Sequence, residues 1–484
     1  MSDPKAAPLW TADNMATAMR AERSGRLSQD ITGISIDSRS IKPDEAFFAI
    51  KGDIHDGHGF VATAITNHAG VAVVSSEKRG EMPADAPLLV VPDVLDGLRD
   101  LARAARARSS AKIIAVTGSV GKTSTKEALL RALARDGETH ASTASFNNHW
   151  GVPLSLARLP ASAQYAIFEI GMNHAGEITP LVKMVRPHVA IITTIAPVHL
   201  EFFESVEHIA DAKAEIFLGV EPGGTVVLNR DNPQFARLAK HAETANIANV
   251  VSFGEHKSAD ARLLKLALQP DSSTVDADIL GDRVTYKLGA PGKHLVMNSL
   301  AVLAAVKLAG ADLALAALAL ADLTAAAGRG TRIALELPGG DALLIDESYN
   351  ANPTSMRAAL ALLGQAEVGK HGRRIAVLGD MLELGGAAEE LHRGLAAAIK
   401  DNGVDLVYCA GPMMEVLWQA LPSERRGGYA KTAAALEPDV VAAIRGGDAV
   451  MIKGSAGSKM APIVKSLATR YGRDAERQPA RAKG

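Results

Sequence analysis

The first residues that could do chemistry are Thr117-Gly118-Ser119-Val120-Gly121-Lys122-Thr123-Ser124. Small residues let backbone N–H groups close around phosphate oxygens, and a helix N-terminus adds partial positive charge. In such a loop Lys122 reaches the terminal phosphates and the Thr123 hydroxyl holds Mg²⁺. The strict pattern has a further glycine where this chain has Val116, so the loop is a shortened form. An apolar run at 113–116 and an amphipathic segment at 126–133 supply the strand and helix on either side. A bare Gly-Lys-Thr would say little, but in this setting it reads as a nucleotide site.

Other reactive groups follow. Glu169 ends the apolar run Tyr165-Ala166-Ile167-Phe168. A carboxylate that interrupts an apolar strand must be paired, exposed or bound to a metal, because burying it bare is costly. Beside a phosphate loop such a group commonly supports Mg²⁺, whereas on an edge strand it would simply face solvent. His199 lies just past the apolar run 189–195 and reads either as a hydrogen-bonded loop histidine or as a metal ligand. Lys213 sits in an amphipathic helix at 209–217, where composition makes it a solvated lysine. Asn147 and Asn148, beside Trp150, offer donors and acceptors to a polar substrate or simply make a turn. Asp346-Glu347-Ser348-Tyr349-Asn350-Ala351-Asn352-Pro353 follows a strand and reads as a ligand loop whose end starts a helix.

These groups need a scaffold, and 484 residues are enough for two to four domains. With 47% hydrophobic and 22% charged residues the composition is that of a globular protein, and a net charge of −2 gives no electrostatic case for nucleic acid as the main partner. The lone Cys409 lies in an apolar run and reads as a buried strand residue, so no disulfide forms within the chain, which fits a reducing cytoplasm. Met1-Ser2-Asp3-Pro4-Lys5 lacks the shape of a signal peptide, and no apolar run of about 18 residues predicts a membrane span. The alanine-rich stretch 311–327 is broken by Asp312, Asp322 and Thr324 and reads as helical packing.

The fold class is α/β throughout. Residues 1–108 read as a small α/β domain with strands near 32–39, 46–50, 71–74 and 88–91, a polar glycine-rich loop at 51–60 and a helix at 96–108. Residues 109–327 form a central phosphate-loop domain. Its strands at 165–170, 189–195 and 225–228 alternate with helices, which predicts a parallel sheet. Such sheets bind ligands at the C-terminal ends of their strands, where the loop, Glu169 and His199 all fall. An antiparallel pattern at 251–288 and a helix at 293–309 follow. Residues 328–484 read as a second doubly wound domain with strands at 342–345, 374–378, 406–409 and 449–452. Its helices fall at 353–363, 387–400, 413–421 and 461–471, and the tail 473–484 is polar and frayed.

In combination, the shortened loop, Asn147-Asn148-x-x-Gly151-x-Pro153, Glu169, His199 and Lys213 resemble the Mur ligases. Within that family five stretches resemble the type that joins D-alanyl-D-alanine to UDP-N-acetylmuramoyl-tripeptide. They are Asp37-Ser38-Arg39, Asp56-Gly57-His58-Gly59-Phe60, Glu169-Ile170-Gly171-Met172-Asn173-His174-Ala175-Gly176-Glu177, Tyr349-Asn350-Ala351-Asn352-Pro353 and Gly379-Asp380-Met381-Leu382-Glu383-Leu384-Gly385. The resemblance spans about residues 30–470.

It implies a UDP-sugar domain (1–108), an ATP domain (109–327) and a mobile Rossmann-like ligase domain (328–484). It implies ATP on Gly118, Ser119, Val120, Gly121, Lys122, Thr123 and Ser124, with Asn298 at the adenine, Arg329 nearby, and one of Asp346 and Glu347 as an acidic contact. Two Mg²⁺ ions would use Thr123, Glu169, His199 and a carbamylated Lys213; Lys122, His199 and Lys213 are the implied catalytic groups. The implied substrate contacts are Ser38, Arg39, Asp56, His58, Asn147, Asn148, Tyr349, Asn350 and Asn352. Leu295, Glu347 and Ala456 depart from the residues usual in the family. The expected protein is a monomeric cytoplasmic enzyme of peptidoglycan precursor synthesis that works through an acyl phosphate. Related readings are the ligase adding the preceding amino acid and a folylpolyglutamate synthase. A nucleotide-gated binding protein is a reading of another class, and Glu169, His199 and Lys213 together argue against it, because a switch needs no second metal site.

Overall fold

The computed structural model describes residues 8–473 except 53, 54, 144 and 326, so the extreme N-terminus, part of the 51–60 loop and the tail beyond 473 lie outside the described residues. The described strands form a five-, a nine- and a six-stranded sheet, plus a small pair that joins Trp10–Thr11 to Asp30–Ile31. No helix among the described residues is long and apolar enough to cross a membrane.

The central sheet decides where chemistry can happen. Its strand Lys112–Thr117, the middle strand of the three next to the loop, lies between Tyr165–Glu169 and Val189–Ile192, all parallel. After the middle strand the chain goes out to the edge strand Thr139–Ala141, returns to Tyr165–Glu169, then crosses to Val189–Ile192 on the other side. That reversal opens a crevice at the C-terminal strand ends. The register aims polar groups into it, since Glu169 pairs with Val116 and Ile192 with Thr117. Val189–Ile192 is buried along its whole length, as a strand with helices on both faces must be. Beyond Asn249–Gly254 the sheet is completed by antiparallel strands Ala261–Leu268, Ser273–Ile279 and Asp282–Leu288, matching the pattern read at 251–288.

The N-terminal sheet is parallel apart from Glu22–Ser24, and it is stitched firmly to the central unit. Leu154 and Ala157, from the helix Gly151–Ala157, share the N-terminal core with Trp10, Leu98 and Leu101. Trp10 Nε1 donates to Ala157 O at 2.9 Å. Arg106, near the end of helix Val94–Arg108, donates to the Val185 and Arg186 carbonyls at 2.8 and 2.9 Å and meets Glu221 at 3.1 Å.

The C-terminal sheet runs Thr331–Leu337, Gly340–Glu347, Ala449–Lys453, Arg374–Gly379, Leu406–Ala410, Arg426–Ala430, with only its first pair antiparallel. Cys409 is buried there, and its surroundings push the thiol up to about 12, so it is inert. Two strands escape the sequence reading. Thr331–Leu337 is a half-buried edge strand with no clean alternation, and Arg426–Ala430 holds two glycines. A side chain at Gly427 would collide with the Tyr408 ring at 2.5 Å, so packing demands residues with poor strand propensity. The helix expected at 387–400 divides at Gly394 into Ala388–Arg393 and Leu395–Asp401. The strand expected at 32–39 stops at Ser35, because Asp37 accepts from the Arg39 backbone and turns the chain.

Arg106→Ala removes the donor from the Val185 and Arg186 carbonyls, the first of these bonds buried, while Glu221 keeps Arg186. It should cost about 2 kcal/mol and lower the first thermal unfolding transition by about 4–8 °C; calorimetry of the variant against the parent protein checks this.

Candidate functional site

The phosphate loop joins Lys112–Thr117 to helix Lys122–Leu133, and two glycines set its shape. Gly121 precedes the helix at φ +89°, and Gly118 lies at φ +148° with room for no Cβ, since one would meet Thr193 Oγ1 at 2.0 Å. Thr193 cannot yield, because its hydroxyl donates to Val120 O at 2.6 Å. A left-handed backbone and close packing therefore both require glycine.

Around this loop is a cavity of about 490 Å³. The central unit contributes Lys122, Thr123, Asn147, Glu169, His199 and Asn298; the C-terminal unit contributes Arg329, Glu347, Tyr349, Asn350, Asn352 and Lys453. The site therefore lies between two units.

Glu169 is its anionic centre and is only 1% exposed. Thr123 Oγ1 donates to its Oε2 at 2.9 Å and Asn147 Nδ2 to its Oε1 at 2.7 Å. Lys122 Nζ donates to Gly118 O at 2.8 Å. Burial pushes the Lys122 ammonium below the ordinary lysine range; Glu169 opposes this and Arg329 adds to it. Lys213 is also buried, contrary to the solvated lysine that composition suggested. Burial and the neighbouring Lys122 charge hold its pKa well below the usual value, which favours a neutral, nucleophilic amine. His199 is lowered chiefly by burial, against the pull of Glu383. Lys122 and Arg329 thus set positive charge beside the Glu169 carboxylate, a field suited to a polyanion.

Among the described residues no three His, Cys, Asp or Glu side chains converge into a ready metal cage. The Thr123 hydroxyl and Glu169 carboxylate are hard oxygen donors one hydrogen bond apart. That donor set fits a Mg²⁺ ion that takes its other ligands from phosphates and water.

The other expected residues divide. Glu347 lines the cavity, whereas the Asp346 carboxylate accepts from the Ser348 hydroxyl and backbone N–H. Ser119, Val120, Gly121, Ser124 and Asn298 line it too. Asn147 faces Glu169, but exposed Asn148 spends its Oδ1 on the Gly151 N–H at 2.9 Å, the turn reading. Trp150 stacks against Phe146 and the N-terminal core and stays outside the cavity. Asn352 caps helix Pro353–Gly364 with a reciprocal bond to Ser355. Arg329 lies over the Tyr349 ring at 4.0 Å and reaches Ser145 at 3.4 Å.

Ser38, Arg39, Asp56 and His58 stand apart from this cavity, past the C-terminal strand ends of the N-terminal sheet. Arg39 makes a two-pronged pair with Asp37, which holds that carboxyl at about 2. His58 is buried with both ring nitrogens engaged. Its Nε2 accepts from Ser75 N at 3.0 Å, so its Nδ1 donates to Asp56 at 2.6 Å. It braces the loop against the neighbouring strand.

Sequence reasoning passed over Ser145, Thr193 and Lys453. Lys453 ends an otherwise apolar strand, the same signal that exposed Glu169. It is buried, and its Nζ donates to Glu347 Oε2 at 3.2 Å and Asn350 O at 2.9 Å, holding the ligand loop in place.

Comparison with known proteins gives three family matches: the Mur ligase family catalytic domain over residues 30–106, the Mur ligase middle domain over 116–306, and the Mur ligase glutamate ligase domain over 328–456. The UDP-N-acetylmuramoyl-tripeptide–D-alanyl-D-alanine ligase of Rickettsia prowazekii is 32% identical over 456 residues, 94% of this chain and 99% of that protein. Its Escherichia coli counterpart is 32% identical across 90% of this chain and 94% of its own. The crystal structure of MurF from Acinetobacter baumannii superposes with a TM-score of 0.81 at 30% identity, covering 95% of this chain and 98% of that one. MurF ligase from Thermotoga maritima in complex with ADP gives 0.73 at 26% identity, covering 90% and 98%.

Gly118→Ala should weaken binding of a fluorescent ATP analogue more than about tenfold, since the new methyl group must displace Thr193 and distort the loop; a fluorescence titration measures this.

Proposed function

Because the chain belongs to the Mur ligase family, we propose that the cavity between its central and C-terminal units is where ATP drives the joining of D-alanyl-D-alanine to UDP-N-acetylmuramoyl-tripeptide. The chain is an ATP-dependent ligase that forms a C–N bond in peptidoglycan precursor synthesis. The observation that carries the cavity assignment is its two-sided lining. A phosphate loop and buried acid on one unit face Glu347, Asn350 and Lys453 on the other. A reaction needing two substrates shut away from water requires that arrangement.

The route follows from the chemistry. A carboxylate is too poor an electrophile for an amine. Its oxygen attacks the γ-phosphorus of ATP, the bond to ADP breaks, and an acyl phosphate forms. The amine of D-alanyl-D-alanine then attacks the acyl carbon, the tetrahedral adduct expels phosphate, and the nitrogen gives up a proton. The loop N–H groups and Lys122 take up charge on the transferring phosphoryl group, the main catalytic demand of this step. Glu169 and Asn147 hold the Thr123 hydroxyl in place. Thr123 and Glu169 would hold a Mg²⁺ ion, which would supply further charge neutralisation for the phosphoryl group. Glu347 is the acidic nucleotide contact and Asn298 faces the base. Arg329, braced on Tyr349, closes the cavity from the C-terminal side.

Lys213 suits carbamylation. It is buried beside Lys122, its amine is driven toward the neutral form that attacks CO₂, and among the described residues no hydrogen bond occupies its Nζ. A carbamate would turn a buried cation into an oxygen donor that complements Lys122 and a second Mg²⁺. Ser38, Arg39, Asp56 and His58 belong to the UDP-sugar end, with His58 acting through the loop it braces. The reaction belongs in the cytoplasm, where nucleotide-linked precursors and ATP meet.

Phosphate release should require both UDP-muramoyl-tripeptide and D-alanyl-D-alanine, and UDP-muramoyl-dipeptide or folate should not substitute for the tripeptide. Steady ATP turnover indifferent to the amine acceptor would sink this reading. Lys122→Ala should reduce product formation by at least about 10³-fold, the scale of losing a main charge-stabilising group. Protein equilibrated with ¹³C-bicarbonate should show a carbamate carbonyl resonance that Lys213→Ala lacks.

A further inference from the structure

One contact crosses the cavity mouth without a place in the chemistry above. His199 follows strand Val189–Ile192 of the central unit; Glu383 follows strand Arg374–Gly379 of the C-terminal unit. His199 Nδ1 and Glu383 Oε2 are 2.5 Å apart. Both residues have left-handed backbones, φ +55° and +61°, a conformation that side-chain-bearing residues rarely hold unless their surroundings enforce it. The loops also meet through their backbones. Glu201 N donates to Glu383 O at 3.2 Å, and a Cβ on Gly385 would stand 3.3 Å from Glu201 Cα. The pairing is therefore built into both loops and does not depend on one free rotamer.

An ionised carboxylate only accepts, so the proton of this hydrogen bond belongs to Nδ1. That leaves Nε2 with a lone pair, and among the described residues nothing bonds to it, while His199 lines the cavity. A carboxylate that fixes the tautomer and orientation of an imidazole is the usual outer support of a metal-binding histidine. Here the carboxylate comes from a different unit of the chain.

We infer that Glu383 is a positioning residue for the cation site: docking of the C-terminal unit presents its carboxylate to His199 and orients the imidazole toward the metal-bound nucleotide. The inference rests on the ligase reading. It adds that the cation site is complete only when the two units have closed. Closure then does more than exclude water, because a nucleotide bound to the open form meets an unaligned histidine.

The test uses the full chain, Mn²⁺ in place of Mg²⁺, and a non-hydrolysable ATP analogue, with free Mn²⁺ counted by electron paramagnetic resonance. Glu383→Ala should weaken Mn²⁺ binding to the nucleotide complex by about tenfold or more. Glu383→Gln keeps a hydrogen-bond acceptor in place and should lose less. In parallel, spin labels on cysteines introduced as Glu243→Cys and Lys400→Cys, at exposed helical sites of the two units, report their separation. The buried Cys409 thiol stays unlabelled. Weaker Mn²⁺ binding with an unchanged label distance supports the positioning role. Unchanged affinity in both variants overturns it, as does tighter binding, which would make Glu383 a competitor for the imidazole. Weaker binding with the units moved apart also overturns it and makes Glu383 a latch. Absence of acceptor-dependent phosphate release by the unsubstituted enzyme would instead defeat the ligase reading, so the two failures are separable.

Discussion

Glu169 holds its carboxylate at 1% exposure, at the end of a strand otherwise made of Tyr, Ala, Ile and Phe. Water cannot solvate it there, and a bare charge in such a place would be strongly destabilising. Two hydrogen bonds and nearby positive charge make it tenable. The bonds come from Thr123 and Asn147; the charge comes from Lys122. The dependence runs both ways. Asn147 is held by Glu169, and Thr123 sits at the start of the helix that closes the phosphate loop. Burial already weakens both Lys122 and Lys213 as cations; the Lys122 charge weakens Lys213 further, and the Glu169 carboxylate opposes the loss at Lys122.

The protein divides mechanically in a way that serves this site. The N-terminal and central units share one hydrophobic core and are pinned by Arg106 and Trp10 through buried hydrogen bonds. The central and C-terminal units instead meet across a polar cavity, through loops that carry Arg329, Tyr349 and Glu383. A shared apolar core resists separation. A polar interface can exchange its contacts for water and ligand at small net cost. The fold therefore keeps the N-terminal unit fixed to the unit that carries the phosphate loop, and it places no comparable shared core across the cavity.

Polar groups at the cavity rim and beyond it also play a supporting part. His58 joins the glycine-rich loop to the neighbouring strand, Lys453 fastens the 347–350 loop, and Asn352 caps the helix that follows it. His58 and Asn352 look like ligand contacts in a one-dimensional reading, and Lys453 does not stand out in it at all. Each instead spends all or part of its hydrogen-bonding capacity on holding the backbone of a ligand loop.

The sequence by itself determined the α/β class, the phosphate loop and the importance of Glu169. These are local signals: apolar runs of strand length, glycines before a Lys-Thr, and a charge placed where a strand should stay apolar. It could also see that one of Asp346 and Glu347 competes for an acidic contact and it treated Asn147 and Asn148 alike, but adjacent residues in a strand or turn point in opposite directions. Only the tertiary structure shows Glu347 and Asn147 lining the cavity, with Asp346 and Asn148 bonded to residues close by in the chain. It alone revealed that Lys213 is buried, because helix periodicity does not say which neighbour covers the polar face. It alone showed the Thr331–Leu337 and Arg426–Ala430 strands, whose residues are dictated by an edge position and by the Tyr408 ring. It alone brought Glu383 to His199, 184 positions apart in the chain. Local chemistry is written in neighbouring residues, whereas pairing across units depends on how whole sheets pack.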